Sequence, residues 1–297
     1  MKEVVGSSRW TPYIFLAPFI LTFLAFTAYP LVQSVNLSLH QTYGPKTSIF
    51  VGAGNFAQLF QDALFWKALG NTFLFALGSV FLQLPLSLGL ALLLDRPGIR
   101  GRLLFRLIYF SPSLAGIVFV ALLFGPIFEK NTGLLNVWLH NWVGFDLEFP
   151  WMERHVMTGL IVAGLWMYVG FNMVYFLAAL QNVDRSVVEA SLVDGAGPWQ
   201  RFRHVTLPAI RPVAGFVVLL SVIGSFQLFE LPFVLLNNTA GPDNRGLTIV
   251  MYLYQTGFEV GDLGYASAIG WSLAILLMFL AMAPRLVLRL LNRGYED

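Results

Sequence analysis

Between Lys67 and Asp95 the chain runs for 27 residues without a charged side chain. About 20 apolar residues in a helix cross the hydrocarbon of a bilayer, so this stretch, with its core at 70–94, predicts a membrane span. Further runs of this kind follow the same logic. One covers Tyr13 to about Leu39, where Pro18 and Pro30 predict a kink or an early exit. Another lies between Arg106 and Glu129, an irregular helix because of Pro112, Gly116, Gly125 and Pro126. The rest lie between His155 and Asp184, over about 213–236, and over about 264–288. The expected class is therefore an all-α integral membrane protein with six transmembrane helices. Composition agrees: 57% of the 297 residues are apolar and 11% charged, too few charges to cover such an inventory in water.

The first run exceeds a signal-peptide core and has no small-residue cleavage pattern, so it is read as a retained span. Six spans put both termini on one side. That side holds 13 of the 18 Lys and Arg residues, in the N-terminus, 95–106, 182–211 and the C-terminus. Lys46, Lys67, Lys130, Arg154 and Arg245 fall opposite. The excess of basic residues places both termini and the 184–211 loop in the cytoplasm. Residues 40–66 read as a mixed loop with turn signals at Gly44-Pro45 and Gly52-Ala53-Gly54-Asn55. In the outer loop, 128–155, Trp138, Trp142, Phe145, Phe149 and Trp151 suit the headgroup layer. The expected division is a segment over 1–66, with the first span and an outer loop, and a five-helix core over 67–297.

Several chemistries are excluded or disfavoured. There are no cysteines, hence no disulfides, thiolate metal sites or thiol nucleophiles. The four histidines, His40, His140, His155 and His204, lack ligand spacing and read as loop or interfacial residues. No lysine follows a glycine, so no P-loop exists and the chain cannot itself hold ATP by that motif.

The polar island at 184–211 is legible locally. Ser186 and Glu189 fit a capping box, Gly195 suits the left-handed position that closes a helix, and Pro198 suits the first position of the next. Trp199, Phe202 and Val205 would share a face, and Leu207-Pro208 is expected to stop this second helix. An ordinary folded loop between two spans fits these features equally. The sequence Glu189-Ala190-Ser191, three residues, Gly195, nine residues, then Val205-x-Leu207-Pro208 closely resembles the EAA motif of permease subunits of bacterial ABC importers. It departs from the commoner pattern at Ser191 and Val205. Segments around Phe226–Glu230, Phe233-Val234-Leu235, Ala240-Gly241-Pro242, Gly264–Ala268, Val51-Gly52 with Asn55-Phe56, and Asn71-Thr72 resemble carbohydrate permeases of the maltose and glycerol-phosphate kind, over essentially the whole chain.

The resemblance implies a type I ABC importer permease fold in the inner membrane, multi-pass, in contact with lipid and with no nucleic-acid role. It implies partners: a second homologous permease, two ATP-binding-cassette subunits that bind ATP and magnesium, and an external solute-binding protein. This chain itself would need no cofactor or metal and would be no enzyme. Glu189, Ala190, Ser191, Asp194, Gly195, Leu207 and Pro208 would couple it to the ATPase. Phe226, Gln227 and Glu230, at one broad helical face, would contact a sugar, with Tyr168, Phe171 and Asn172 (beside Met167) as a second patch and Ser113 as a third site. A buried carboxylate should face the bundle interior or water, so Glu230 instead serves as a helix-interface partner if it meets no sugar. Gly70, Ala76, Gly78 and Ser79 read as close-packing residues.

Other classes weigh against this one. A stand-alone secondary transporter usually shows repeats and several intramembrane ionisable groups, whereas only Glu230 lies clearly within a span. A membrane enzyme would need a side-chain cluster that the sequence lacks. A polyol or glycerol phosphate stays open as the solute, though phosphate is disfavoured because no Lys or Arg lies within a span. Under the coupling reading, a bulky residue at Gly195 leaves the protein in the membrane but abolishes ATP-driven uptake. Normal uptake by that variant would refute docking at the island.

Overall fold

In the computed structural model, residues 10–43, 47–96 and 98–293 are described. The basic residues Lys2 and Arg9, the Gly44-Pro45 turn signal, Lys46 and Pro97 lie outside them, as do the side chains of Arg285, Arg289 and Arg293.

The chain is mostly helical. Among the described residues five helices are long and apolar enough to cross a membrane: α1 (Thr11–Ser38), α3 (Ala63–Asp95), α7 (Val156–Gln181), α9 (Pro198–Phe226) and the apolar part, Leu263–Met282, of α11 (Leu263–Arg293). The expected third span is instead a broken pair. Arg102–Leu114, comprising α4 (Arg102–Phe110) and a 3₁₀ turn, meets α5 (Ile117–Ile127) at 96°. Ala115 and Gly116 are extended at the break, the former just after the turn that opens at Ser111-Pro112. Counting the pair as one span gives six.

Proline inside a span removes a backbone donor and crowds the preceding turn. Three spans absorb it in the same way. A five-residue π-turn occupies Leu24–Ala28, Ser79–Gln83 and Phe202–Thr206, each ending two residues before Pro30, Pro85 and Pro208. The residue before each proline donates its N–H five residues back: Tyr29 to Leu24, Leu84 to Ser79, Leu207 to Phe202. The widened turn makes room for the ring, and the helix continues. Hence Leu207-Pro208 does not stop a helix: the second helix of the polar island and the fifth span are one 29-residue helix.

One compact unit comprises residues through Asp62 together with Leu253–Phe279. The 40–66 region is more ordered than a mixed loop, and it departs from an all-α fold. Strands β1 (His40–Tyr43) and β2 (Thr47–Phe50) pair antiparallel, with His40 opposite Phe50, and α2 (Gly54–Gln61) follows. Buried Asn55 donates to the carbonyls of Ser38 (2.9 Å) and His40 (2.8 Å). The start of α11 is held here too. The Asp262 carboxylate accepts from the Tyr265 N–H at 3.0 Å, and the Thr42 hydroxyl accepts from the Gly264 N–H at 2.9 Å. A side chain at Gly264 would strike the His40 carbonyl.

The other unit, Ala63–Tyr252 with the chain from Leu280 onward, is built around α7. This helix is apolar all round, as expected of a helix enclosed by others. Its first half packs with Phe124, Phe128, Trp151 and Leu231, and its second half with Leu84, Ala91, Ile210 and Val217. Gly78 meets Ile161 closely enough that a Cβ would not fit without movement, which bears out its packing role, whereas Gly70 faces open space. Outside the spans, α6 (Leu134–Val143) carries buried Asn136, which accepts from Trp151 Nε1 at 2.7 Å and donates to the Leu147 carbonyl at 3.0 Å. Trp151, Phe145 and Phe149 thus fold onto one another and the core, and of the loop's aromatics only Trp138 and Trp142 are widely exposed.

The broken span is seated on α7 through Gly170. A Cβ there would fall on the Tyr109 carbonyl, backbone against backbone, so no side-chain rotation relieves it. Gly170→Ala is expected to cost about 1–3 kcal/mol and lower the thermal midpoint of the purified protein, while Gly70→Ala leaves it unchanged. Equal midpoints for both variants would contradict this packing.

Candidate functional site

Three backbone irregularities meet at one cavity of about 330 Å³. The π-turn of α3 supplies Ser79 and Gln83; the break before α5 supplies Ile117. The third irregularity follows α9. That helix ends at Phe226, and the chain is non-helical until α10 (Glu230–Leu235) begins. This break contributes Gln227, Leu228 and Glu230. Regular helix completes the wall: Tyr168, Phe171 and Asn172 on one face of α7, and Ser221, Gly224 and Ser225 on one face of the end of α9.

Phe226, Gln227 and Glu230 do not share a helical face, because the helix ends between them. Phe226 is buried in packing and does not line the cavity, while Gln227 and Glu230 do. Ser113 sits in the 3₁₀ turn, donates to the Phe110 carbonyl at 2.7 Å and does not line the cavity. Ser79, expected only to aid packing, lines it. Gln83, Ser221 and Ser225 were missed altogether. A polar residue shortly before an in-span proline was the available signal for Gln83.

Gln83 and Asn172 are 5% and 6% exposed, and among the described residues neither amide side chain has a hydrogen-bond partner. Their amide atoms are not sealed from solvent, so both groups face the cavity open to water or to a polar solute. Glu230 forms no ion pair among the described residues, and no Lys, Arg or His lines the cavity. Among the described residues Glu230 is not seen hydrogen-bonded to a polar group across a helix interface either. The set comprises amides, hydroxyls, one carboxylate and aromatic rings. It can accept and donate to a polyhydroxylated solute while packing against its C–H faces.

The second region is the polar island. Helix α8 (Arg185–Val193) begins at Asp184, not at a Ser186–Glu189 capping box. The Asp184 carboxylate accepts from the Ser186 N–H at 2.9 Å. The Ser186 hydroxyl and then this N–H hold its pKa below the ordinary carboxylate value. Because the folded value is depressed, this cap acts at neutral pH and is lost as acidification protonates Asp184. Glu189 is left exposed. Gly195 (φ +75°) closes α8 as expected: its N–H donates to the Leu192 carbonyl and that of Ala196 to Ser191, the double bond of a glycine-terminated helix. Pro198 then opens α9, with the Gln200 side chain accepting from the Gly197 N–H at 2.9 Å. Trp199 and Phe202 stack at 5.5 Å on one face.

The tip exposes apolar residues out of proportion to its polarity. Val193 is 88% exposed and Trp199 69%, with Leu192 and Val187 also open. Such a cluster rimmed by Glu189, Asp194 and Arg203 has the character of a surface that another protein covers. Behind it, Glu189 lines a hollow with Asp95, Arg102 and Thr206, and Arg102 pairs with Asp95 at 2.9 Å. Among the described residues no group of three or more His, Asp or Glu side chains could hold a metal.

The loop after α10 is fixed rather than slack. Asn237, Asn238, Asp243 and Asn244 all take positive φ. Asn71 on α3 donates to the Asn244 and Leu247 carbonyls, both at 2.9 Å, and the Thr72 hydroxyl accepts from the Ile249 N–H at 2.9 Å. Asn71-Thr72 therefore clamps the loop that follows the cavity break.

The family described as the inner membrane component of binding-protein-dependent transport systems matches residues 83–297. An arabinooligosaccharide transport system permease protein of Halalkalibacterium halodurans is 36% identical over 279 residues, covering 93% of this chain and 87% of that protein. A lactose transport system permease protein of Rhizobium radiobacter is 33% identical over 287 residues, covering 95% and 94%. An sn-glycerol-3-phosphate transport system permease protein of Salmonella typhimurium is 31% identical over 280 residues, covering 94% and 92%. A chain from a crystal structure of a bacterial ABC transporter involved in import of the acidic polysaccharide alginate superposes with a TM-score of 0.81 at 24% identity, over 94% of this chain and 95% of that one. The same importer type in complex with an alginate pentasaccharide-bound periplasmic protein gives 0.80 at 25% identity, over 93% and 95%.

If the two amides wait for a ligand, replacing them should not weaken the empty protein. Gln83→Leu and Asn172→Leu are expected to hold or raise the thermal midpoint while abolishing its rise on ligand addition. A loss of about 2 kcal/mol or more in the unliganded protein would instead give these amides a structural role.

Proposed function

The chain belongs to the inner-membrane components of binding-protein-dependent transport systems, and from that premise we propose that it is the permease subunit that forms half of an ATP-driven sugar path. The relatives named for arabinooligosaccharide and lactose transport support the solute class. So does the cavity, whose unpaired amides, hydroxyls and rings match sugar hydroxyls and C–H faces. In this reading an external binding protein delivers the sugar, a second related permease supplies the other half of the path, and two ATPase subunits dock at the island. The protein resides in the inner membrane with the island and both termini on the cytoplasmic side, as the distribution of basic residues indicates.

The single observation that carries the mechanism is the continuity of α9. The helix starts beside exposed Trp199 and, about 33–39 Å further on at 1.5 Å per residue, lines the cavity with Ser221, Gly224 and Ser225. Motion imposed by an ATPase on Glu189–Gly195 and Trp199 therefore reaches the solute through one rigid element. The break at Gln227–Phe229 lets the next segment respond separately. The chain has no P-loop, so the free energy enters from the partner. The relatives' named solutes include a phosphate ester as well as sugars, so family membership alone does not set the charge of the solute.

The test is reconstitution of this chain with its partner permease, ATPase and binding protein in vesicles. Sugar uptake is expected only with ATP. Uptake by this chain alone without ATP would overturn the reading in favour of a secondary transporter. In the same system, Val213→Gly with Ala214→Gly, beside Gly215, softens α9 at about 1 kcal/mol per substitution. ATP hydrolysis should persist while sugar moved per ATP falls. Unchanged coupling would remove α9 from the transmission path.

A further inference from the structure

We infer that this half of the path is built for uncharged saccharides and that Glu230 is the residue that turns anionic ones away. The inference rests on the sugar-permease reading and adds the charge class of the solute.

The cavity has one charged group. Glu230 lines it, and among the described residues no Lys, Arg or His does. Nor does any of these residues form an ion pair that masks the carboxylate. The remaining polar groups, Gln83, Asn172 and Gln227 among them, are neutral and able both to donate and to accept. A sugar hydroxyl satisfies them in either direction, and it donates readily to the Glu230 carboxylate. A uronate or phosphate ester is different. It must leave water, finds no cation on this wall, and meets a like charge within a space of about 330 Å³. Two carboxylates about 6 Å apart repel strongly enough, even at an effective dielectric constant near 20, to weaken binding by at least about tenfold. The cavity thus discriminates by repulsion as well as by fit, which is how a binding site becomes selective. Gln at this position would keep the hydrogen-bonding shape and remove the repulsion, so the charge itself is the selective element.

The experiment uses the complete transporter, assembled from this chain and its partner subunits in lipid nanodiscs, without the binding protein. Isothermal titration is run with a panel of neutral di- and trisaccharides, each paired with a counterpart whose ring C6 is a carboxylate. The expected result is that at least one neutral sugar binds and its uronate counterpart binds at least about tenfold more weakly, and that Glu230→Gln brings the pair within about threefold. Gln227→Lys, a second variant that leaves Glu230 intact, should shift preference towards the uronate. Equal binding of both sugars by the unaltered transporter would mean that cations from the other half of the path outweigh Glu230, and would overturn the inference. So would discrimination that persists in Glu230→Gln. Absence of binding by every sugar would also overturn it. If ATP-driven sugar uptake is intact in that case, only this inference falls; if uptake is absent too, the sugar-permease reading falls with it.

Discussion

Hydrocarbon offers no hydrogen-bond partner, so every backbone amide and carbonyl in a span must be satisfied by the protein. That constraint governs where this chain can be irregular. Prolines within spans would ordinarily break the ladder, yet Pro30, Pro85 and Pro208 are each preceded by a π-turn that reroutes the bonds and preserves the helix. Where the backbone does open fully, at Ala115-Gly116 and Gln227–Phe229, the residues at or next to the opening, Ile117, Gln227 and Leu228, line one cavity. One π-turn and both openings converge on the same space.

The second consequence concerns transmission. Because Pro208 is absorbed, the polar island and the cavity are joined by a single helix. The capped turn at Gly195 and the stacked Trp199–Phe202 pair stiffen its outer end. At its other end the helix stops abruptly at Phe226, which is buried and does not line the cavity. The proposed docking surface and the proposed solute site therefore share a rod with a fixed pivot, a geometry suited to the alternating exposure of one site. Loops add rigidity at the far end of the cavity. Asn71 and Thr72 hold the segment after α10 in positive-φ conformations that a slack loop would abandon.

Much of this was legible in residue patterns because the physics is local. Charge-free runs marked the spans, and Gly195 and Pro198 marked a helix end and a helix start. What escaped was whatever depended on a neighbour. Asp184 rather than Ser186 caps α8, a difference of two positions among residues of equal capping ability. Phe226 and Glu230 could be put on one face only by assuming an unbroken helix. Trp151 reads as a headgroup-layer residue because nothing in its sequence surroundings announces Asn136, fifteen residues away, as its partner.

The sequence by itself determined the class of protein, the approximate spans, the polar island with its motif, and the absence of a P-loop. Each follows from composition, spacing or single-residue conformational preference. Tertiary structure alone decided that Gln83, Asn172 and Glu230 share a cavity, that Ser113 does not line it, and that the island runs unbroken into the fifth span. The physical reason is that a proline's effect on a helix depends on the turn before it. Likewise, a buried amide signals a site only once the helices around it are seen to leave it without a partner.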